Sequence, residues 1–335
     1  MPQEIRFATF NVLNLALPLS RFYPNQEPYS IAQYDAKISW LAQQLDRLDA
    51  DVIGLQEIFS QAALTDVLAR TRNYRDAHQV GFDPAPGLAA DGRPAALTPS
   101  VALISRLPVL SAPLAHHTLP RGLSVALPGT AHPMTCFTRP ILQVELGLPQ
   151  QRRMQVFVAH LKSKRPDWLT AEAEIASYQL GIATLRSLIR RGTEALGLRY
   201  LLTDQLHAAR MPVAVMADFN DVADAVSTQM VMGSDARGGN PVDARLYDAL
   251  QLQPGRGAHH GVDYTHLHDG AYETIDHILL SEEFQRTSKH AIGEVLEVHY
   301  LNDHVSQRPS AASDHGQVLV RVRLFAPDEL TARNG

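Results

Sequence analysis

The stretch from Met211 to Val222, MPVAVMADFNDV, decides how the rest of the chain is read. Pro212 to Ala217 is a short apolar run behind a proline, the pattern of a buried β-strand. It ends in Asp218, Phe219, Asn220 and Asp221. Alternation along a strand sets Asp218 and Asn220 on one side and Phe219 on the other. A carboxylate beside an amide can orient a water and hold an anionic oxygen. Equally, Asp and Asn close strand ends by bonding to nearby backbone. The endings of the other strands weigh towards chemistry.

Working outward, further apolar strands are expected over 4–12, 51–57, 100–110, 139–146, 154–160, 274–280, 293–301 and 315–325. Two helical stripes separate them. Ile31, Tyr34, Ile38, Leu41, Leu45 and Leu48 recur at spacings of three and four, one apolar face of a helix. Ile175, Tyr178, Ile182, Leu185 and Ile189 form a second stripe. Glu172 and Glu174 stand in its first turn, Arg190 and Arg191 in its last, and Gly192 just beyond. This order suits the helix dipole and the preference for glycine past a helix end. More helix is expected over 193–209, and another over 61–70. Arg186, Arg190 and Arg191 read as a solvated helix end. Residues 76–100, 111–135, 233–245 and 253–270 read as loops, being rich in Pro and Gly. The pattern predicts one α/β domain over 1–326, helices outside a many-stranded sheet, with a frayed tail over 327–335.

The 335 residues are 45% apolar and 19% charged, the composition of a globular chain with a sizeable core. No apolar run is long enough to span a bilayer. No basic start followed by an apolar segment marks a secretory signal, so a cytoplasmic location is expected. Cys136 is the single cysteine, which excludes an internal disulfide and fits a reducing compartment. Net charge is −5 with 15 His counted neutral. That argues against broad coating of nucleic acid, but not against a site that meets phosphate through a metal ion.

Six expected strands end in residues a metallohydrolase needs: Asn11, Glu57, His160, Asp218 with Asn220, Asp276 with His277, and Asp314 with His315. Each alone has a bland reading as a capped or solvated strand end. Together they matter, because apolar strands rarely carry charge without a partner. Glu57 suits Mg²⁺, a hard cation that takes carboxylate oxygens. Asp276 lies inside TIDHILL and needs a partner; His315 is the candidate, an imidazole oriented by a buried carboxylate being a general base. Asp314, beside it, would face the metal. His160, with Lys162 two residues on, reads as a phosphate contact. His259, His260, His266 and His268 read as loop histidines rather than a zinc site, having neither a partner Cys nor a helical i, i+4 pair. Metal, oriented base, amide and cationic donors together specify hydrolysis of a phosphate ester.

These segments carry a resemblance. ATFNVLNL at 8–15, DVIGLQEI at 51–58, SVALISRLPV at 100–109, VFVAHLKSKRP at 156–166, VAVMADFND at 213–221, TIDHILLS at 274–281 and SDHGQVLVRV at 313–322 resemble the endonuclease/exonuclease/phosphatase superfamily. The resemblance spans nearly the whole chain. It implies a four-layer α/β sandwich, two stacked mixed sheets flanked by helices, and dependence on Mg²⁺ or Mn²⁺. It implies Glu57 as principal metal ligand, with Asn11 and Asp314 close to the ion. His315 paired with Asp276 is implied as base, Asp218 and Asn220 as groups that orient the nucleophile and bind phosphate, and His160 as donor to a phosphate oxygen. Ala217 stands where the family commonly has Gly, and the HLKSKRP segment is unlike the abasic-site repair enzymes. The expected activity is a metal-dependent nuclease on DNA or RNA, with Lys162, Lys164 and Arg165 near the backbone. A phosphatase or phosphodiesterase on a small or lipid phosphoester is the alternative. A non-catalytic binding module that kept the fold is a third, of another class.

Overall fold

The computed structural model describes residues 3–23, 26–83, 97–169, 177–208, 211–233, 245–255 and 263–334. The expectations for Glu172, Glu174, Ile175, His259 and His260 lie outside those residues.

The chain enters as β1 (Gln3–Leu15), buried continuously from Phe7 to Val12. α1 (Ile31–Leu48) starts on a reciprocal cap: the Gln33 amide donates to Ser30 Oγ and the Ser30 amide to Gln33 Oε1, which satisfies two donors a helix start leaves unpaired. Its expected stripe from Tyr34 to Leu48 is buried, except that Ile31, in the first turn, is 69% exposed. β2 (Val52–Ile58) lies parallel to β1 and is almost wholly apolar because both its faces are covered. α2 (Gln61–Arg70), β3 (His78–Gly81) and β4 (Ser100–Ser105) follow. Then come β5 (Leu114–Thr118), β6 (Cys136–Leu148) and β7 (Arg152–His160), and the long helix α3 (Ser177–Ala208). The stretch that opened the reading becomes β8 (Val213–Asp218). After α4 (Val226–Met232), β9 (Tyr247–Asp248) and α5 (Ala249–Leu252), a hairpin forms from β10 (His266–His268) and β11 (Ala271–Glu273). β12 (Asp276–Leu280), β13 (Gly293–Leu301), α6 (Asp303–Gln307), β14 (Gln317–Leu324) and α7 (Pro327–Asn334) complete the chain.

Two six-stranded mixed sheets result, in the orders β13-β14-β1-β2-β4-β3 and β5-β6-β7-β8-β12-β9. Their inner faces meet in one core that includes Phe7, Val52, Leu103, Val156, Met216, Ile278 and Val320. α1 and α2 cover the outer face of the first sheet through Ile38, Leu41, Leu45 and Leu64. α3 and α4 cover the second through Leu198, Leu202 and Val231. The architecture is therefore helix, sheet, sheet, helix: a four-layer α/β sandwich. Gly54 marks how closely the sheets approach. A Cβ there would lie 2.6 Å from Met216 Cβ, so no side chain fits.

Several expectations change. Segment 76–100 contains β3, segment 111–135 contains β5, and segment 253–270 contains β10. These are short edge strands held by backbone pairing, with too few residues to show a periodicity. The expected frayed tail forms α7, where Glu329 accepts from the Ala326 amide and pairs with Arg323 at 2.9 Å. α3 runs unbroken through Gly192.

Its orientation is the larger correction. Tyr178, Ile182 and Leu185, three members of the expected stripe, are 69%, 37% and 46% exposed. Arg186, read as solvated, is fully buried, and Arg191 is 6% exposed. Arg186 donates to the carbonyls of Pro128 and Asp167, and Arg191 bonds Asp221 Oδ2 at 2.9 Å and the Lys162 carbonyl at 3.3 Å. Satisfied buried cations are tolerated, so the face that meets loop carbonyls turns inward. The exposed stripe carries little energy. Leu185→Lys should shift unfolding free energy by less than about 0.5 kcal/mol, while Leu198→Ala, at a fully buried position, should cost about 2–5 kcal/mol. Urea unfolding of the two variants checks this.

Candidate active site

Strand pairing brings the polar ends together. His160 is the register partner of Asp218 between the parallel β7 and β8, and Asp218 that of Asp276 between the antiparallel β8 and β12. Register partners project from one face. His160, Asp218 and Asp276 thus form a row on the inner face of the second sheet, each no more than 4% exposed. Asn11 approaches from the first sheet, and its Nδ2 donates across the gap to Asp218 Oδ2 at 2.9 Å.

Glu57 reaches the same edge by a backbone irregularity. It has φ 64°, and the pairing of β2 with β4 shifts between Gln56 and Ile58. Such a bulge re-aims a side chain. β1 is irregular opposite it, with Leu13 and Asn14 both at φ 55°. The Asn14 amide donates to Glu57 Oε2 at 3.0 Å, and Asn11 Nδ2 lies 3.4 Å from Glu57 Oε1.

The segment before β14 closes the row. Ser313 Oγ donates to the Asn11 carbonyl at 2.6 Å and accepts from the His315 amide at 3.0 Å. His315 Nδ1 then meets Asp276 Oδ2 at 2.8 Å. Its Nε2 faces Asp218 Oδ2 at 3.9 Å and Asp314 Oδ1 at 4.0 Å. Asn220 closes the strand end by bonding to its neighbours, the plainer reading of its stretch. With φ 53°, it forms an Asx turn, its amide donating to Asp218 Oδ1 at 2.8 Å, and its Nδ2 holds the Leu161 carbonyl at 3.1 Å. Asp218 and Asn220 thus do not simply alternate along a strand. Phe219 turns outward into the α3 layer.

Of the residues expected at the site, Asn11, Glu57, His160, Asp218, Asn220, Asp276, Asp314 and His315 converge here. Lys162 is placed otherwise: its Nζ donates to the carbonyls of Ser163 and Arg165, and Lys162 does not line the cleft. His277, named beside Asp276, points away from the row. It stacks on Phe219 at 5.6 Å, meets Asp248 Oδ2 through Nδ1 at 2.8 Å and the Asp221 carbonyl through Nε2 at 3.0 Å.

The electrostatics follow from burial. Asp218 is pushed up to about 7 by burial first and then by the charge of Asp276. Burial alone would lower His315, but Asp276 and Asp218 outweigh it and hold the imidazole well above 6.5. His160 is driven well below 6.5 by burial and by Arg139, so it stays neutral. Its Nε2 lies 3.3 Å from Asp218 Oδ2, and its Nδ1 is buried with no hydrogen-bond partner among the described residues.

Three basic residues of the site escaped the sequence reading. Lys37 of α1 is 2% exposed, and burial lowers it to about 8 although Glu57 and Asp314 pull the other way. A lysine between Tyr34 and Ile38 on the buried stripe was the available signal. Arg139 lines the cleft from β6, and its Nε is buried without a partner among the described residues. Its place before Pro140 in an apolar strand carried no such signal. His266, dismissed with the loop histidines, forms a β-bridge to His315, with ring centroids 4.9 Å apart. The cleft encloses about 660 Å³ and is further walled by Tyr23, Gln26, Lys164, Arg165 and Arg308.

A divalent ion fits these residues. Asp314 Oδ1 is buried with no hydrogen-bond partner among the described residues, an oxygen placed for a ligand rather than for a donor. Glu57 brings carboxylate oxygens to the same edge, the donors a hard cation takes, while Asn11 turns its Nδ2 to Glu57 and Asp218 and its Oδ1 accepts from the Leu13 amide at 3.0 Å.

A model of the Endonuclease/Exonuclease/phosphatase family matches residues 8–315. The chain belongs to this family. Family members hydrolyse phosphoesters, in general with a divalent metal ion. No curated protein matches the chain in sequence. Among solved structures, an endonuclease/exonuclease/phosphatase from Bacteroides vulgatus is similar at 16% identity and a TM-score of 0.57, covering 96% of this chain and all of its own. The mannosyl-6-phosphatase of Bacteroides thetaiotaomicron is similar at 16% identity and 0.55, over 96% and 100% of the two chains. The human Nocturnin catalytic domain with bound sulfate is similar at 16% identity and 0.56, over 96% and 95%. At these identities the likeness shows the fold. Among the described residues no helix is long and apolar enough to cross a membrane.

The His277–Asp248 pair makes stability depend on pH. Burial lowers the His277 imidazole, but the Asp248 bond and charge raise it further, to a net value above 6.5. A group raised on folding stabilises fully below its unfolded value and loses that contribution as pH climbs through its folded one. In EDTA, the Tm gap between wild type and His277→Gln should be widest below pH 6.5 and narrow as pH rises.

Proposed function

We propose that the protein hydrolyses a phosphate ester of a small organic molecule, using Mg²⁺ or Mn²⁺ held by Glu57 and Asp314, with Asn11 beside the ion. The observation that carries this reading is the cleft at the catalytic edge, about 660 Å³, the size of a small-molecule site. A polynucleotide requires a row of cations along its backbone. Among the described residues Arg139, Lys164, Arg165 and Arg308 line the cleft, and Lys164 is neutralised there by Glu273 at 2.9 Å and Asp221 at 3.8 Å. The phosphosugar named for the Bacteroides thetaiotaomicron neighbour is of the same chemical class. A binding module would have no use for ion ligands, a poised carboxyl and an oriented imidazole in one row.

The bound ion would supply Lewis-acid neutralisation of phosphate oxygens. The chain's own groups divide the proton work. A carboxyl raised by burial towards neutrality is matched to take a proton from water, which favours Asp218 over His315 as the base in this reading. Asp276 fixes the His315 ring through Nδ1, and the protonated Nε2 donates to a phosphate oxygen. Groups whose environments push them apart are how one site holds acid and base together. Asn220 fixes the turn that aims Asp218. Arg139 faces the phosphate as a donor, in the place expected of Lys162.

The test is hydrolysis of p-nitrophenyl phosphate, its bis ester, a hexose phosphate, DNA and RNA under Mg²⁺, Mn²⁺ or EDTA. Metal-dependent release from a small ester is expected. His315→Ala should lower kcat by about 10²–10⁴-fold with the fold intact, and Glu57→Ala should raise the Mg²⁺ concentration needed. Cleavage of polynucleotide alone, falling steeply with salt, would overturn the small-ester reading in favour of a nuclease. In the pH profile, kcat/KM should rise as Asp218 deprotonates near 7 and fall on the alkaline side as His315 loses its proton. Asp218→Asn should abolish the rising limb; a rising limb that persists in this variant removes Asp218 as base.

A further inference from the structure

The hairpin of β10 and β11 is pinned against the catalytic edge. The Gly316 amide donates to the Thr265 carbonyl at 2.6 Å, the Thr265 amide to the Glu273 carbonyl at 3.0 Å, and the Ile275 amide to Thr265 Oγ1 at 3.1 Å. This framework fixes His266 beside His315 through the backbone rather than through a mobile side chain. One donor atom each from His266, Asp314 and His315 then lies within 4.8 Å of the other two.

We propose that these three side chains form a second metal site, selective for a transition metal of the zinc class, which shares Asp314 with the oxygen site at Glu57 and adds two imidazoles to it. The donor set decides the selectivity. Two imidazoles and one carboxylate suit Zn²⁺, Co²⁺ or Ni²⁺, whereas Mg²⁺ takes oxygen. Three protein ligands with an open fourth position is a common zinc arrangement. Two independent features favour occupancy. Asp314 Oδ1 is buried with no hydrogen-bond partner among the described residues and faces His315 Nε2 at 4.0 Å. His315 Nδ1 is committed to Asp276, so the ring offers Nε2, and a carboxylate behind a ligating imidazole is the usual support for a metal. Zinc ligand atoms stand roughly 3.4 Å apart in a tetrahedron of about 2.1 Å bonds, so closure of at most roughly 1.4 Å between atoms that lie within 4.8 Å of one another completes the site. His268 stays outside: its side chain is 68% exposed and pairs with Asp269.

Occupancy would remove His315 Nε2 from the phosphate and so switch hydrolysis off. That consequence rests on the function proposed above; the binding itself does not. The experiment is a titration of metal-stripped protein with Zn²⁺ against a chromophoric chelator, with Co²⁺ visible absorption as a second readout of coordination. Wild type and Glu57→Gln should bind Zn²⁺ alike and give a Co²⁺ spectrum of mixed nitrogen and oxygen ligation. His266→Gln, which keeps bulk and polarity, should weaken Zn²⁺ by at least about tenfold and change that spectrum. In hydrolysis supported by Mg²⁺, half-inhibition of His266→Gln should need at least about ten times more Zn²⁺ than wild type. Zinc binding lost in Glu57→Gln but unchanged in His266→Gln would place the ion at the oxygen site and overturn the proposal. Failure of wild type to bind Zn²⁺ would overturn it too. Because the chelator titration needs no turnover, a failed hydrolysis assay leaves it readable.

Discussion

Two carboxylates buried side by side constrain everything else at this site. Asp218 and Asp276 are partners on adjacent strands and are 1% and 0% exposed. Desolvation and mutual repulsion both oppose ionising the pair. The surrounding groups are the response. His315 bonds Asp276 and stands 3.9 Å from Asp218, so one positive charge serves both. The Asn11 amide crosses between the sheets to Asp218 Oδ2, and the Asn220 amide donates to Oδ1. His160 contributes a neutral ring, because a further charge there would itself have to be desolvated. Asp276 Oδ1 and Asp314 Oδ1 are left without partners among the described residues. The cluster is short of positive charge on its open side, where a divalent ion and a phosphate would meet.

The strand ends were legible because apolar runs that finish in acids or amides conflict with burial unless the ends converge. The register then does the rest: His160, Asp218 and Asp276 fall in line once three strands pair. Lys37 and Arg139 were not legible in the same way. Each belongs to an element whose other residues announce only packing, and their proximity to the acids depends on sheet closure. His266 was hidden by a stronger error, since a three-residue edge strand within a glycine-rich stretch has no periodicity to betray it.

α3 was misread for an instructive reason. Apolar spacing and helix-end charges agreed on an orientation, and both lost to polar partners far away in sequence. Arg186 finds carbonyls at residues 128 and 167, and Arg191 finds Asp221. Glu194, 1% exposed, accepts the Thr138 amide at 2.8 Å and the Lys162 amide at 2.7 Å. One carboxylate thereby ties the stretch of β6 bearing Arg139 to the segment that leaves β7 after His160. The buried polar face of α3 is a frame for the cleft. Truncating any of these residues would leave its partners unsatisfied, which costs more than the bond itself contributes.

The same distribution of charge bears on what the cleft can hold. A net charge of −5 repels a polyanion at long range, and screening limits any local patch to about 8 Å at physiological ionic strength. Cations spread along a track would overcome that repulsion; cations gathered at one point do not. Here Arg139, Arg165 and Arg308 line one open cleft, while Arg186 and Arg191 are spent inside the protein. Short-range contacts in a partly desolvated cleft are strong precisely where long-range steering is weak. An anion small enough to enter gains all of them, and one whose charge continues beyond the rim gains only the first.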